Sequence, residues 1–450
     1  MASMDQETAR GSTRAWFKAI MEKFVSKIMD AVSEGKKLGV EDPRRIIHSF
    51  KVGLAITLVS MFYYFDPLYQ GFGVSAMWAV ITVVVVFEFS VGATLGRGIN
   101  RGIATLLAGS LGVGAHRLAN FPGEKLEPVF LGLSVFLVAA AVTFIRFYPK
   151  LKARYDYGLL IFLLTFCLIS VSGYRDDEVL KMAHKRLSTI LIGGSAAVVV
   201  CSFICPVWAG EDLHNLVAGN IENLGIFLQG FGHEYFQTSY DKLLDDEASN
   251  DEYKSVLNSK STEEYLANFA RWEPRHGRFR YRHPWDQYLK IGVLVRECAY
   301  RIDALNGYLN SEMKTPPEVR AKIQESCTKM SSESSLALKQ LALSVKAMSS
   351  SSIADPHIFN AKTAAKKLKL LLKTDLWEDT NFLEIIPAAA VSSLLIEIVS
   401  CTVKIADSVH ELASMAKFKN DVLRQKETGK EKVLRVPSIE RSHNISITAE

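Results

Sequence analysis

Six long apolar runs follow one another between residues 46 and 208: Ile46–Tyr64, Gly73–Leu95, Gly102–Leu118, Val129–Ile145, Tyr157–Ser172 and Leu187–Trp208. A helix that crosses a bilayer needs about 20 mostly apolar residues. No soluble core absorbs six such runs in succession, although the third and fifth are short. Residues 211–450 are different, holding most of the acidic, Lys-rich and Ser-rich sequence. The 22% of charged residues and the slightly positive mean hydropathy therefore average two unlike halves.

The organisation that follows is all-α. Residues 1–45 form a cytosolic N-terminal segment, 46–208 a six-span transmembrane domain, 209–420 a cytosolic helical bundle, and 421–450 a disordered tail. In the second half, Leu213, Leu216, Val217, Ile221, Leu224 and Leu228 recur at helical intervals. Similar patterns cover 285–309, 317–348, 357–373 and 382–418. The last run is apolar enough to pass for a seventh span, but Pro387, Ser392, Ser393, Glu397 and Ser400 favour a buried bundle helix. Residues 241–262 are charged and Ser-rich and read as a mobile loop. The first 45 residues lack the apolar core of a cleavable signal. The six cysteines show no CxxC pair, so neither disulfides nor zinc is expected.

Lys and Arg in short loops stay on the cytoplasmic side. Lys36, Lys37, Arg44 and Arg45 precede the first run. Arg97 and Arg101 link the second to the third, and Arg146, Lys150, Lys152 and Arg154 link the fourth to the fifth. These segments are assigned to the cytosol, and both termini with them. The opposite loops carry Asp66, then Glu124 and Glu127, then Asp176, Asp177 and Glu178, although Arg175, Lys181, Lys185 and Arg186 in and beside the last one oppose the rule.

A charge at the bilayer centre costs at least about 2.5 kcal/mol, so it faces a partner or water. Arg97 and Arg101 are four apart, on one face of a helix, among glycines 92, 96, 98 and 102 whose GxxxG spacing admits a close neighbour. They read either as interfacial anchors or as pore residues. Lys51, Arg146, Lys185 and Arg186, from other runs, could complete a cationic ring, and such rings select anions. Glu88 is the lone carboxylate of the second run. It reads either as an ion-pair partner or as a gating or proton-linked group, the latter joined by His116 or His184. No GxxxxGK[ST] motif is present, so neither ATP drive nor a cofactor is expected, and the chain does not read as an enzyme. The stretch WEPRHGRFRYRHPW (272–285) interleaves basic and aromatic residues as single-stranded nucleic-acid binders do. Beside a membrane domain it reads as a contact for that domain, for lipid head groups or for a partner subunit, and not for nucleic acid.

Five stretches resemble the plant aluminium-activated malate transporter family: EDPRRIIHSFKVGLA (41–55), MWAVITVVVVFEFSVGATLGRGINRG (77–102), IRFYPKLKARYDYGLLIFLLTF (145–166), CPVWAGEDLH (205–214) and the 272–285 stretch. The resemblance implies a homodimeric channel passing malate and inorganic anions, with six spans per subunit. It places the anion-binding pore residues at Arg101 and Arg186, then Arg97, Arg146 and Lys51. It implies residence in the plasma membrane, the vacuolar membrane being the alternative. Some members are activated by external aluminium, others by voltage or cytosolic malate. Asp66, Asp176, Asp177 and Glu178 are the outer acids that would meet an aluminium ion, and Lys181, one turn after Asp177, opposes that role.

Overall fold

A computed structural model describes residues 2–65, 77–119, 121, 126–172, 179–236, 252–280, 282–309, 316–350, 352–374 and 382–420. Among these residues are fourteen helices and one pair of two-residue parallel strands, so the chain is all-α. It divides into two compact units, Met1–Val207 and Trp208–Glu450. The expected tail at 421–450 lies outside the described residues, as do Asp66, Asp176, Asp177 and Glu178.

The first unit contains α1 (Ala2–Glu41), α2 (Pro43–Tyr64), α3 (Met77–Val86), α4 (Val91–Ala119), α5 (Glu127–Ile145), α6 (Pro149–Ser172) and α7 (Val179–Phe203). Pro43 opens α2, where its missing N–H is no loss, and the Asp42 carboxylate accepts the Arg44 backbone N–H at 3.1 Å. Four of these helices, α2, α5, α6 and α7, are long and apolar enough to cross a bilayer. The first, fourth, fifth and sixth spans expected from sequence fall on these four helices. Helix α3 has only ten residues, and α4, with 29, carries Arg97, Arg101, His116 and Arg117 along its length.

The turn between the second and third runs is also displaced. Sequence reading puts it at Gly96–Gly102, but helix α4 runs unbroken through those glycines, and the break falls at Phe87–Ser90. Capping chemistry decides this. Ser90 Oγ accepts the Ala93 N–H at 3.3 Å, and the Thr94 hydroxyl, 3.0 Å from the Glu88 N–H, donates to the Glu88 and Ser90 carbonyls at 3.2 and 3.1 Å. Glycine, by contrast, is common inside membrane helices.

The second unit contains α8 (Ala209–Phe236), α9 (Glu252–Leu257), α10 (Lys260–Ala270), α11 (Trp285–Leu309), α12 (Pro317–Ala347), α13 (Ala354–Thr374) and α14 (Phe382–Ala416). Strand β1 (Ser349–Ser350) pairs with β2 (Lys419–Asn420). By length and composition α14 also qualifies as a span. Its Ile385, Val391, Leu395, Ile398, Ile405 and Leu412 nevertheless lie in the core of this unit, as a bundle helix requires. Residues 252–262 correct the expected loop, because they are helical and bury Tyr253 and Val256. The Tyr253 hydroxyl donates to Asp303 at 2.9 Å.

Two of the recognisable stretches meet in this unit. At the N-terminus of α8, the Glu273 carboxylate accepts the Ala209 and Gly210 N–H groups at 2.6 and 3.1 Å, as the helix dipole favours. A Cβ on Gly210 would stand 2.4 Å from the Trp285 ring, which explains the glycine of VWAGED. Phe279, His283 and Trp285 are buried, and Trp208 stacks on His276 at 3.9 Å. Phe279, His283 and Trp285 of WEPRHGRFRYRHPW thus serve a core and are not open for nucleic-acid stacking.

Tyr288 Oη lies 2.9 Å from His214 Nδ1 and 3.2 Å from His283 Nε2 in that core. Burial holds both imidazoles down to about 4; Arg278 adds to this for His214, and His214, His276 and Arg280 for His283. Both are therefore neutral when folded, and the unfolded chain takes up their protons as pH falls from about 6.5. Their contribution is complete above pH 6.5 and is lost as pH drops toward 4, roughly 2 kcal/mol for each by pH 5. Thermal melts of the full chain in detergent should show a lower Tm for this unit at pH 5 than at pH 7. Substituting His283→Gln should flatten that dependence.

Candidate functional site

One end of the first unit gathers the starts and finishes of its helices. The rings of Phe87 and Phe89 lie 5.7 and 5.4 Å from His48, and Arg44 sits over Phe89 at 5.8 Å, so the Phe87–Ser90 turn rests against the beginning of α2. Val91 donates its N–H to the Val207 carbonyl at 2.9 Å, bringing the end of this unit to the same place. From Val91 a rise of 1.5 Å per residue puts Arg97 about 9 Å and Arg101 about 15 Å along α4. Arg101 therefore lies about three turns into α4.

The five basic residues singled out from sequence part company here. Arg97 pairs with Glu88, which names the partner that spacing leaves open. Arg146 holds Asp156 through two contacts, Nε to Oδ1 at 2.7 Å and Nη2 to Oδ2 at 3.3 Å, closing the corner between α5 and α6. Lys51 is 1% exposed and donates to the Cys205 carbonyl at 3.2 Å, at the point where α7 has ended. Each of these three has a protein partner of opposite or complementary polarity.

Arg101 and Arg186 have neither a carboxylate nor a carbonyl partner among the described residues. They are 3% and 4% exposed, and among the described residues neither is in an ion pair. Arg101 Nη1 donates to the Tyr157 hydroxyl at 3.0 Å, while its Nε has no acceptor. Arg186 lies over the Trp78 ring at 4.0 Å, and its Nε likewise has no acceptor. The two guanidinium groups come from different helices of this unit, α4 and α7. Buried like charges without a counter-charge are expensive. What they offer chemically is two planar donor forks, each matched to a carboxylate.

Their supports escape sequence reading. Tyr157 on α6 touches two arginines of α4, hydrogen-bonding Arg101 and lying 5.8 Å under Arg97. Trp78 on α3 flattens one side of Arg186, as an aromatic face does for a guanidinium. Neither is spaced from its arginine in any way that a single sequence reveals. Asp156 had a signal, as the lone acid of the basic KLKARYD link.

Of the four α4 glycines in that spacing, Gly92 and Gly96 are buried. A Cβ on Gly102 would meet nothing within 4 Å, and one on Gly98 only ordinary contacts. Closer approaches lie between α4 and α6, where a Cβ on Gly112 would stand 2.9 Å from Ile169, and between α3 and α7, where a Cβ on Gly193 would stand 2.4 Å from the Ala79 carbonyl oxygen. Gly193 lets α3 and α7 bring Trp78 and Arg186 together. The proton-linked candidates are spread out: His116 Nδ1 lies 3.6 Å from Glu127, and His184 is exposed.

Residues 36–378 match the profile of the family described as aluminium activated malate transporter. Aluminum-activated malate transporter 2 of Arabidopsis thaliana is 57% identical over 400 residues, covering 88% of this chain and 80% of its own. Aluminum-activated malate transporter 1 of the same plant is 53% identical, at 88% and 82% coverage. The protein of that last name in Triticum aestivum is 45% identical over 390 residues, at 84% of each chain. The chain is a multi-pass membrane protein of the aluminium activated malate transporter family.

Proposed function

We propose that this chain is a homodimeric anion channel that passes malate and inorganic anions passively, with both termini cytosolic and the plasma membrane as its site. The observation that carries the reading is the Arg101–Arg186 pair: two buried guanidinium groups from different helices, with no carboxylate on either among the described residues. A dicarboxylate supplies two negative charges and two bidentate acceptors to that pair. Arg97, Arg146 and Lys51 build the walls, each held by its own partner. The relatives named above are malate transporters by name, which selects malate among dicarboxylates.

No energy source is needed for efflux. A dianion leaving a cytosol negative by 100 mV gains about 4.6 kcal/mol, twice the value for one charge. Proton coupling would need a free titrating group beside the path, whereas Glu88 is engaged by Arg97 and His116 faces Glu127.

Purified protein in liposomes, voltage-clamped under a malate gradient, tests this. The reversal potential should move about 30 mV per tenfold malate gradient and stay put when pH changes on either side. A reversal potential that follows the proton gradient would replace the channel with a coupled transporter. Adding external aluminium to the same recording tests activation, light scattering of the purified protein tests the dimer, and a fluorescent fusion tests the membrane of residence.

A further inference from the structure

Helix α1 is a single 40-residue helix that ends one residue before the first span begins. Over its second half the apolar residues Met21, Phe24, Val25, Ile28 and Val32 repeat at three- and four-residue steps, so they fall on one side, with Met29 beside them. All six are between 46% and 65% exposed. Lys23, Lys27, Asp30, Glu34 and Lys37 occupy the other side, also exposed. Helix α1 packs on α2 through its last turn, where a Cβ on Gly39 would stand 2.9 Å from Ile46.

The surface this stripe joins identifies its occupant. Leu38 and Val40 are exposed at the end of α1, and Ile46 and Phe50 are exposed on α2, which is long and apolar enough to cross a bilayer. The exposed apolar surface of α1 therefore continues onto that of a membrane-crossing helix. At the joint, Asp42 is extended (φ −141°, ψ 95°) and ends α1 instead of letting it run on into α2. A helix of mixed polarity tied to a spanning helix by one residue has the bilayer surface within reach of its whole length.

We propose that α1 lies in the membrane interface, with the Met21–Val32 stripe among the acyl chains and its polar side in the head groups. Lys23, Lys27 and Lys37 are offset by Asp30 and Glu34, so apolar burial drives the docking and anionic lipid is not required. The inference rests on the multi-pass nature of the chain and is independent of what the channel conducts.

Nitroxide labels on the full chain in phosphatidylcholine liposomes test it. Cysteines are placed singly at Phe24, Val25 and Ile28 and at Lys23, Lys27 and Glu34, and the signal of the unsubstituted protein is subtracted. All six positions are exposed, so the fold is not at stake. Stripe labels should be several-fold more accessible to oxygen than to a water-soluble nickel chelate, and polar-side labels the reverse. Equal accessibility on both sides would overturn the proposal by placing α1 in water. Stripe labels shielded from both reagents would overturn it in favour of a protein partner.

Discussion

Arg101→Ala and Arg186→Ala should each reduce malate current by at least about tenfold while leaving the protein as stable as the original, or more so. The loss follows from the size of the contact: a hydrogen bond to a charged group is worth about 1.5 to 3 kcal/mol, and tenfold is about 1.4. The stability follows from the geometry. Arg101 and Arg186 are both buried, and among the described residues neither has a carboxylate. Removing either one takes away a buried charge that has no counter-charge. A residue kept for packing would do the opposite, lowering Tm when truncated.

Conservative changes separate charge from shape. Lysine keeps the charge but loses the fork, so Arg101→Lys should retain anion selectivity with weakened preference for malate over chloride. Arg97→Ala and Arg146→Ala should behave differently, since each leaves Glu88 or Asp156 without its partner and so acts on stability. The measurement is voltage clamp on liposomes beside thermal melts of the same preparations. Wild-type malate current in either alanine variant of the central pair would sink the site assignment. So would a large fall in Tm accompanying a lost current.

How much of this was legible in the sequence depends on the distance over which each feature is decided. Helix content and the division into a membrane part and a bundle follow from run length and periodicity, which are local. The turn at Phe87–Ser90 was missed because glycines look like breakers, whereas the caps that set it, Ser90 and Thr94, are ordinary residues in an apolar run. Of the five basic residues, the family resemblance sets Arg101 and Arg186 ahead of Arg97, Arg146 and Lys51, but the partners that hold the last three are not given by it. Glu88 with Arg97 and Asp156 with Arg146 are each about ten residues apart, within reach of a guess. Trp78 under Arg186 and Lys51 under Cys205 are not, because they join helices far apart in the chain.

The second large effect lies in the bundle. Glu263 is buried on α10 and accepts from Ser259 Oγ at 2.8 Å, from Asn220 Nδ2 of α8 at 3.3 Å, and from Arg296 of α11. One carboxylate thus ties three helices together in a dry interior. Removing one partner of a buried pair strands the other charge and costs about 3 to 5 kcal/mol. Glu263→Ala or Arg296→Ala should therefore lower the Tm of this unit by roughly 10 °C, at about 2 to 4 °C per kcal/mol for a unit of this size. Gly292→Ala should join them, because its Cβ would stand 2.0 Å from Glu263 Oε2 and force the carboxylate out of place. The double replacement Glu263→Leu with Arg296→Met removes both charges at nearly constant volume and should recover most of the loss. That pattern distinguishes a stranded charge from lost packing: if the double variant melts as low as the singles, packing is the cause. A single variant melting within a degree or two of the original would mean that water reaches Glu263 and that the pair does not hold the three helices.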